Sequence, residues 1–124
     1  MLFTPTPVVA IIDDEPSILR SLSRLLTIHQ YKTEVFSSGE AFLERTKASD
    51  VACIVLDIQL GGMSGIELRR RLSAKGSTVP IIFITALDSA TVRKEAIEVG
   101  CAAFLPKPVS GRELVDAIKR ATHA

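Results

Sequence analysis

Apolar residues gather into five short runs, and the stretches between them carry a helical period. The runs are Val8–Ile12, Glu34–Phe36 with its neighbours, Ala52–Leu56, Pro80–Ile84 and Ala102–Leu105. The first, third and fourth are rich in Val and Ile without polar alternation, as suits strands buried on both faces of a parallel sheet. Between the runs, Leu22, Leu25, Leu26 and His29 fall at i, i+3, i+4 and i+7. Val92, Ala96 and Val99 repeat that spacing, as do Leu114, Ile118 and Ala121. Ile66, Arg70 and Ser73 are read as a polar edge beside Leu68 and Leu72.

Helix boundaries are marked as well. Pro16 suits a first helical turn, with Asp14 and Glu15 before it as caps. Three Ser-x-x-Glu boxes follow, pairing Ser37 with Glu40, Ser64 with Glu67, and Ser110 with Glu113. Gly76 and Gly100 stand where C-terminal caps of positive φ belong. The order is strand–helix five times over, without linker or repeat. Such alternation predicts an α/β domain, a (βα)5 unit with one parallel five-stranded sheet and helices on both faces, because the crossovers are right-handed.

The strand ends carry the chemistry. Val8–Ile12 runs into Asp13 and Asp14, Ala52–Leu56 into Asp57, Pro80–Ile84 into Thr85, and Ala102–Pro106 into Lys107. Ligands of open parallel sheets bind outside the carboxyl ends of the strands, where the strand order reverses. An order of 2-1-3-4-5 makes the first and third strands neighbours, so that Asp13, Asp14 and Asp57 converge. Thr85 and Lys107 then close the crevice from the other side. Like charges ~4 Å apart cost ~4 kcal/mol at an effective dielectric of about 20. Either some of these carboxyls stay protonated or a cation sits among them. An all-oxygen cluster suits Mg²⁺ (or Mn²⁺) rather than zinc. With a lysine and a hydroxyl beside it, the cluster reads as a phosphoryl-transfer site with a carboxylate nucleophile. An Asp at a strand end can equally well cap a turn, and it is the conjunction at four strand ends that favours the functional reading.

Composition narrows the field further. The chain has 124 residues, 47% of them apolar, which is one domain by size and too apolar for a disordered segment. Its 15 basic and 14 acidic residues create no field favouring nucleic acid. No apolar stretch is long enough to span a membrane, and MLFTPTP, without a basic start and an apolar stretch, does not read as a secretory leader. Cys53 and Cys101 lie in apolar runs and read as reduced thiols of a cytoplasmic protein. The run Arg69–Arg71 reads as a solvated helix face, His29 as a residue suited to a helix C-terminus, and His123 as part of a frayed tail.

The segments VVAIIDDEPSIL, CIVLDIQLGGMSGIEL, IIFITAL and AAFLPKPVSGREL, in this order and spacing, resemble the receiver domain of two-component response regulators. The resemblance runs from about Val8 to Ala121 and treats residues 1–124 as one receiver domain. It implies the flavodoxin-like doubly wound sheet of order 2-1-3-4-5. It implies Asp57 as the phosphoacceptor, served by a histidine kinase, and Asp14 as the direct acidic Mg²⁺ ligand with Asp13 acting mainly through water. Asp57 and the backbone carbonyl of Gln59 complete the implied metal set. Thr85 matches the switch hydroxyl, Lys107 the lysine that pairs with the phosphoryl group, and Phe104 the switch aromatic. Lys107–Pro108 matches a peptide bond that is usually cis in the family.

The resemblance further implies signalling to an output domain or downstream protein through the surface of the fourth helix, fifth strand and fifth helix. A homodimer formed on phosphorylation belongs to the same picture, with no nucleic-acid contact by this domain itself. LDIQLGGMSGIEL with Phe104 is similar to receivers that precede LuxR-type helix-turn-helix domains, and the residues after Ala121 leave open either a stand-alone receiver or an excised N-terminal domain. One departure stands out. Where the family usually has Met-Pro after the phosphoacceptor, this chain has Leu60-Gly61-Gly62, which leaves the loop more conformers. A haloacid-dehalogenase-type phosphatase would need Asp-x-Asp at the nucleophile, which Asp57-Ile58-Gln59 breaks. A flavin carrier would need a Ser/Thr-rich loop in place of Asp13-Asp14-Glu15. A pseudo-receiver that binds partners without phosphorylation is disfavoured because all five site residues are present.

Overall fold

The computed structural model describes residues 6–45, 50–87 and 89–123. The start of the chain, where a leader was sought, lies mostly outside them. Five strands, β1 (Val8–Ile12), β2 (Lys32–Phe36), β3 (Cys53–Asp57), β4 (Ile81–Thr85) and β5 (Ala103–Pro106), alternate with five helices, α1 (Pro16–Ile28), α2 (Gly39–Leu43), α3 (Gly65–Ala74), α4 (Ala90–Val99) and α5 (Gly111–Thr122). All neighbouring strands pair in parallel, in the order β2-β1-β3-β4-β5. β3 and β4 are buried at every position, which explains their unbroken apolar runs. β2, at the sheet edge, begins at Lys32 and has no fully buried residue, so its polar start escapes a search for apolar runs.

The sheet separates two apolar layers. On one face, Val9, Ile11, Val55, Ile82 and Ile84 pack with Leu22 and Leu26 of α1 and with Leu114, Val115 and Ile118 of α5. On the other, Ala10, Ile12, Ile54, Leu56 and Phe83 pack with Phe42 of α2, Ile66, Leu68 and Leu72 of α3, and Ala96 of α4. Ile66 is therefore core rather than polar edge, because the second position of α3 turns its side chain toward the sheet. α4 contributes one buried residue, Ala96, whereas α5 contributes four.

The caps explain where the helices start. Ser64 and Ser110 accept the amides of Glu67 and Glu113 at 3.1 and 3.3 Å, as the boxes predict. At α2 the cap is Ser38, which accepts the amide of Ala41 at 3.0 Å, so the Ser37 box is displaced by one residue. Ser89 caps α4 through the amide of Val92 at 3.1 Å. Glu15 occupies the N-cap of α1 ahead of Pro16, but its side chain makes no capping bond. Instead Asp13 Oδ1 accepts the Glu15 amide at 2.9 Å. Gly76 and Gly100 take φ of +83° and +87° at their helix ends. Both cysteines are free thiols, Cys53 buried and Cys101 half-buried. Among the described residues no helix is long and apolar enough to cross a membrane.

Candidate functional site

The site lies along the carboxyl edge of the sheet, where β1 and β3 run side by side while their helices leave toward opposite faces. Ladder bonds continue one residue past three strands and hold the backbone there. The amide of Asp13 donates to Phe36 O at 3.1 Å, that of Ile58 to Ile84 O at 3.0 Å, and that of Lys107 to Thr85 O at 2.8 Å. The Lys107–Pro108 peptide bond is cis. Gly65 opens α3 against the same corner. A Cβ there would collide with the carbonyl oxygen of Asp57 and lie 2.9 Å from Ile58 Cα, so only glycine lets α3 start this close to β3.

Asp13 and Asp57 are buried and Asp14 is exposed, yet the three offer carboxylate oxygens that all lie within 4.8 Å of one another. Lys107 reaches across them. Its Nζ is 2.8 Å from Asp13 Oδ2, 3.2 Å from Asp57 Oδ2 and 3.4 Å from Glu15 Oε1. The contact with Asp57 is a hydrogen bond. The approach to Asp13 is closer but off the line that a hydrogen bond needs, so Asp13 Oδ2 is buried without an aligned donor. A buried carboxylate oxygen in that condition, among two other carboxylates, fits a cation, and an all-oxygen donor set fits a hard one.

Electrostatics follow the packing. Burial raises the pKa of Asp57 above the usual carboxylate value; the Gln59 amide, donating to Oδ1 at 3.0 Å, opposes this, the Asp13 charge adds to it, and Lys107 offsets part of it. For Lys107, burial is the largest single influence and works downward. The Asp13 and Asp57 carboxylates together outweigh it and hold the ammonium well above its ordinary value.

The remaining candidates take up distinct positions. Asp14 Oδ2 accepts the amide of Gly61 at 3.3 Å, and Glu40 Oε2 accepts that of Met63 at 3.3 Å, so the glycine loop is held from both sides. Gly62 in that loop has φ +79°. Thr85 is fully buried and its Oγ1 accepts the amide of Leu87 at 3.0 Å, which leaves the hydroxyl proton available. Gln59 is exposed. Phe104 is half-buried on β5, two strands from Asp57, with the Arg93 guanidinium carbon 4.6 Å from its ring centroid. The structure thus brings Asp13, Asp14, Asp57 and Lys107 together. It adds Glu15, which sequence reasoning assigned to helix capping, and sets Arg93 against Phe104 rather than against the carboxylates.

A doubly wound sheet of order 2-1-3-4-5 with an acidic crevice at its switch point, crossed by a lysine, is a CheY-like fold. The chain belongs to the response regulator receiver domain family, whose model matches residues 9–119. It is thus a switch domain of two-component signalling. It is 35% identical over 114 residues to the response regulator protein TodT of Pseudomonas putida, covering 92% of this chain and 50% of that protein. It is 32% identical over 111 residues to the transcriptional regulatory protein FixJ of Azorhizobium caulinodans, covering 90% of this chain and 53% of that one. The chain spans about half the length of these curated relatives. Among solved structures, the crystal structure of FixJ-N superposes with a TM-score of 0.86 at 33% identity, covering 98% of both chains. The response regulator StyR does so with 0.86 at 38%, covering 95% of this chain and 60% of that one.

Proposed function

We propose that residues 1–124 act as one phosphorylation-activated receiver domain whose acceptor is Asp57. The observation that carries this reading is the Asp57 carboxylate, buried at the end of β3, hydrogen-bonded to Lys107 and flanked by Asp13 and Asp14. An Asp57 carboxylate oxygen attacks the phosphorus of a phosphohistidine on a histidine kinase. The P–N bond breaks, and the imidazole leaves with a proton from solvent. Asp13, Asp14, Asp57 and the backbone carbonyl of Gln59 would hold Mg²⁺ (or Mn²⁺), whose positive charge would offset the repulsion between anionic donor and anionic acceptor. Lys107 turns from the carboxylates to a phosphoryl oxygen, and Thr85 donates its hydroxyl proton to another. The same groups assist hydrolysis of the acyl phosphate, but the role of the domain is regulation.

The phosphoryl group adds about −1.5 to −2 charge, as side-chain phosphates do. As Thr85 turns toward it, Phe104 moves inward behind Thr85, and the surface of α4, β5 and α5 shifts between two states. Through that surface the domain controls an output, which we assign to transcription through a LuxR-type helix-turn-helix domain, with a homodimer formed on phosphorylation. TdiR of Thauera aromatica and FixJ, both transcriptional regulatory proteins at more than 30% identity, support that assignment. The cytoplasm is the compartment we assign, in keeping with two unpaired thiols. Incubation with acetyl phosphate and Mg²⁺ should add one phosphate to the intact mass, and Asp57→Asn should abolish it. Undiminished labelling of that variant would overturn the assignment.

A further inference from the structure

The Arg93 guanidinium carbon stands 4.6 Å from the centroid of the Phe104 ring, which joins the outer side of α4 to β5. α4 has little else to fix it, with Ala96 its one buried side chain and Ile97 left 65% exposed. On the neighbouring strand β4, Thr85 is turned toward its own loop, its Oγ1 engaged by the Leu87 amide. The ring is thus held from outside by a cation on the very helix that has to shift when the ring goes in.

We propose that Arg93 is a latch on the switch: its guanidinium, stacked on Phe104, stabilises the half-exposed ring and opposes its inward movement. This rests on the reading of Asp57 as acceptor and Phe104 as switch aromatic, and adds to it the residue that sets the resting bias. The ring face is electron-rich and the guanidinium is a weakly hydrated planar cation, so the two attract without full burial. A cation–π contact at such a site shifts a two-state equilibrium by roughly two- to fivefold. Inward movement separates ring from cation, and the phosphoryl group at Asp57 has to outweigh that loss. Arg93 is a positioning residue, acting through Phe104.

The test uses 4-fluorophenylalanine-labelled protein, with the Phe104 resonance assigned by its loss in Phe104→Leu. Beryllofluoride with Mg²⁺ stands in for the phosphoryl group, and its midpoint is read from the backbone amides around Asp57. In Arg93→Gln the ligand-free Phe104 resonance should move toward its activated position, and the beryllofluoride midpoint should fall two- to fivefold. Arg93→Lys should recover part of both effects. In a Phe104→Leu background Arg93→Gln should leave the midpoint unchanged, which separates the ring contact from any other contact Arg93 makes. A wild-type Phe104 signal that responds to beryllofluoride while Arg93→Gln alters neither readout overturns the latch alone. A wild-type signal that ignores beryllofluoride overturns the switch reading and the latch with it.

Discussion

The ammonium of Lys107 lies closer to Asp13 than to Asp57, 2.8 Å against 3.2 Å, and so occupies the buried carboxylate that a cation would use. Lysine and metal therefore compete for Asp13. Lys107→Gln should tighten Mg²⁺ binding by about tenfold, since ~1.4 kcal/mol is a small part of the repulsion between charges a few ångströms apart. A Mg²⁺ titration followed by amide shifts of residues 57–61 checks it. Unchanged or weakened affinity would mean that the lysine organises the carboxylates rather than contesting them.

Metal binding should also stabilise the fold by mass action, by about 2.7 kcal/mol at a hundredfold excess over the dissociation constant. Asp14→Asn should remove most of that gain and stop labelling by acetyl phosphate with Asp57 intact. Because Asp14 holds the amide of Gly61, that amide should be among the first to shift when Mg²⁺ is added. Identical melting curves in chelator and in Mg²⁺ would leave the acid cluster a structural feature only.

Gly65→Ala should destabilise the domain by about 3 kcal/mol, at the upper end of overpacking costs, because the new methyl meets backbone and not a flexible side chain. Gly76→Ala isolates the cost of conformation. Gly76 has φ +83° with nothing near its Cβ position, whereas Gly65 has no positive φ, so the Gly76 change should cost about 1 kcal/mol from conformation alone. Equal losses in urea unfolding would refute the close approach of α3 to Asp57.

Burial pushes the Cys53 thiol from its ordinary 9.0 up to about 12. The folded state holds that proton more tightly than the unfolded chain does. The stability it contributes is complete below pH 9 and is lost as pH rises toward 12. Denaturant midpoints of the wild type should thus fall more steeply over that window than those of Cys53→Ala. In native protein at pH 8, Cys101 should react with a thiol reagent well before Cys53 does.

Much of this was legible in the chain, for identifiable reasons. β1, β3 and β4 lie in the sheet interior and had to be apolar throughout, so their ends, and with them Asp13, Asp57 and Thr85, could be placed. The edge strand β2 and the displaced cap at Ser38 were harder. Two of the five residues of β2 are exposed and none is fully buried, and two adjacent serines offer the same chemistry until a backbone angle selects one. Glu15 meets Lys107 across 92 residues of sequence, and Arg93 meets Phe104 from a different element. Neither pairing leaves a periodic trace, because each depends on how two elements lie side by side. Ile66 shows the opposite failure, in which a helical period was assigned correctly but its phase was not.

The uneven anchoring of the helices has a kinetic meaning. Amides of β3 and β4, covered on both faces, can exchange with solvent only when the whole domain opens, and α5, with four buried side chains, is tied to that event. α4, with Ala96 its one buried side chain and Val92 and Val99 only partly covered, should detach and re-form more often than the sheet opens. The free energy that keeps the protein folded and the free energy that it trades in signalling are thus stored in different layers. A receiver arranged in this way can change the surface it shows to a partner without ever approaching its own unfolding transition.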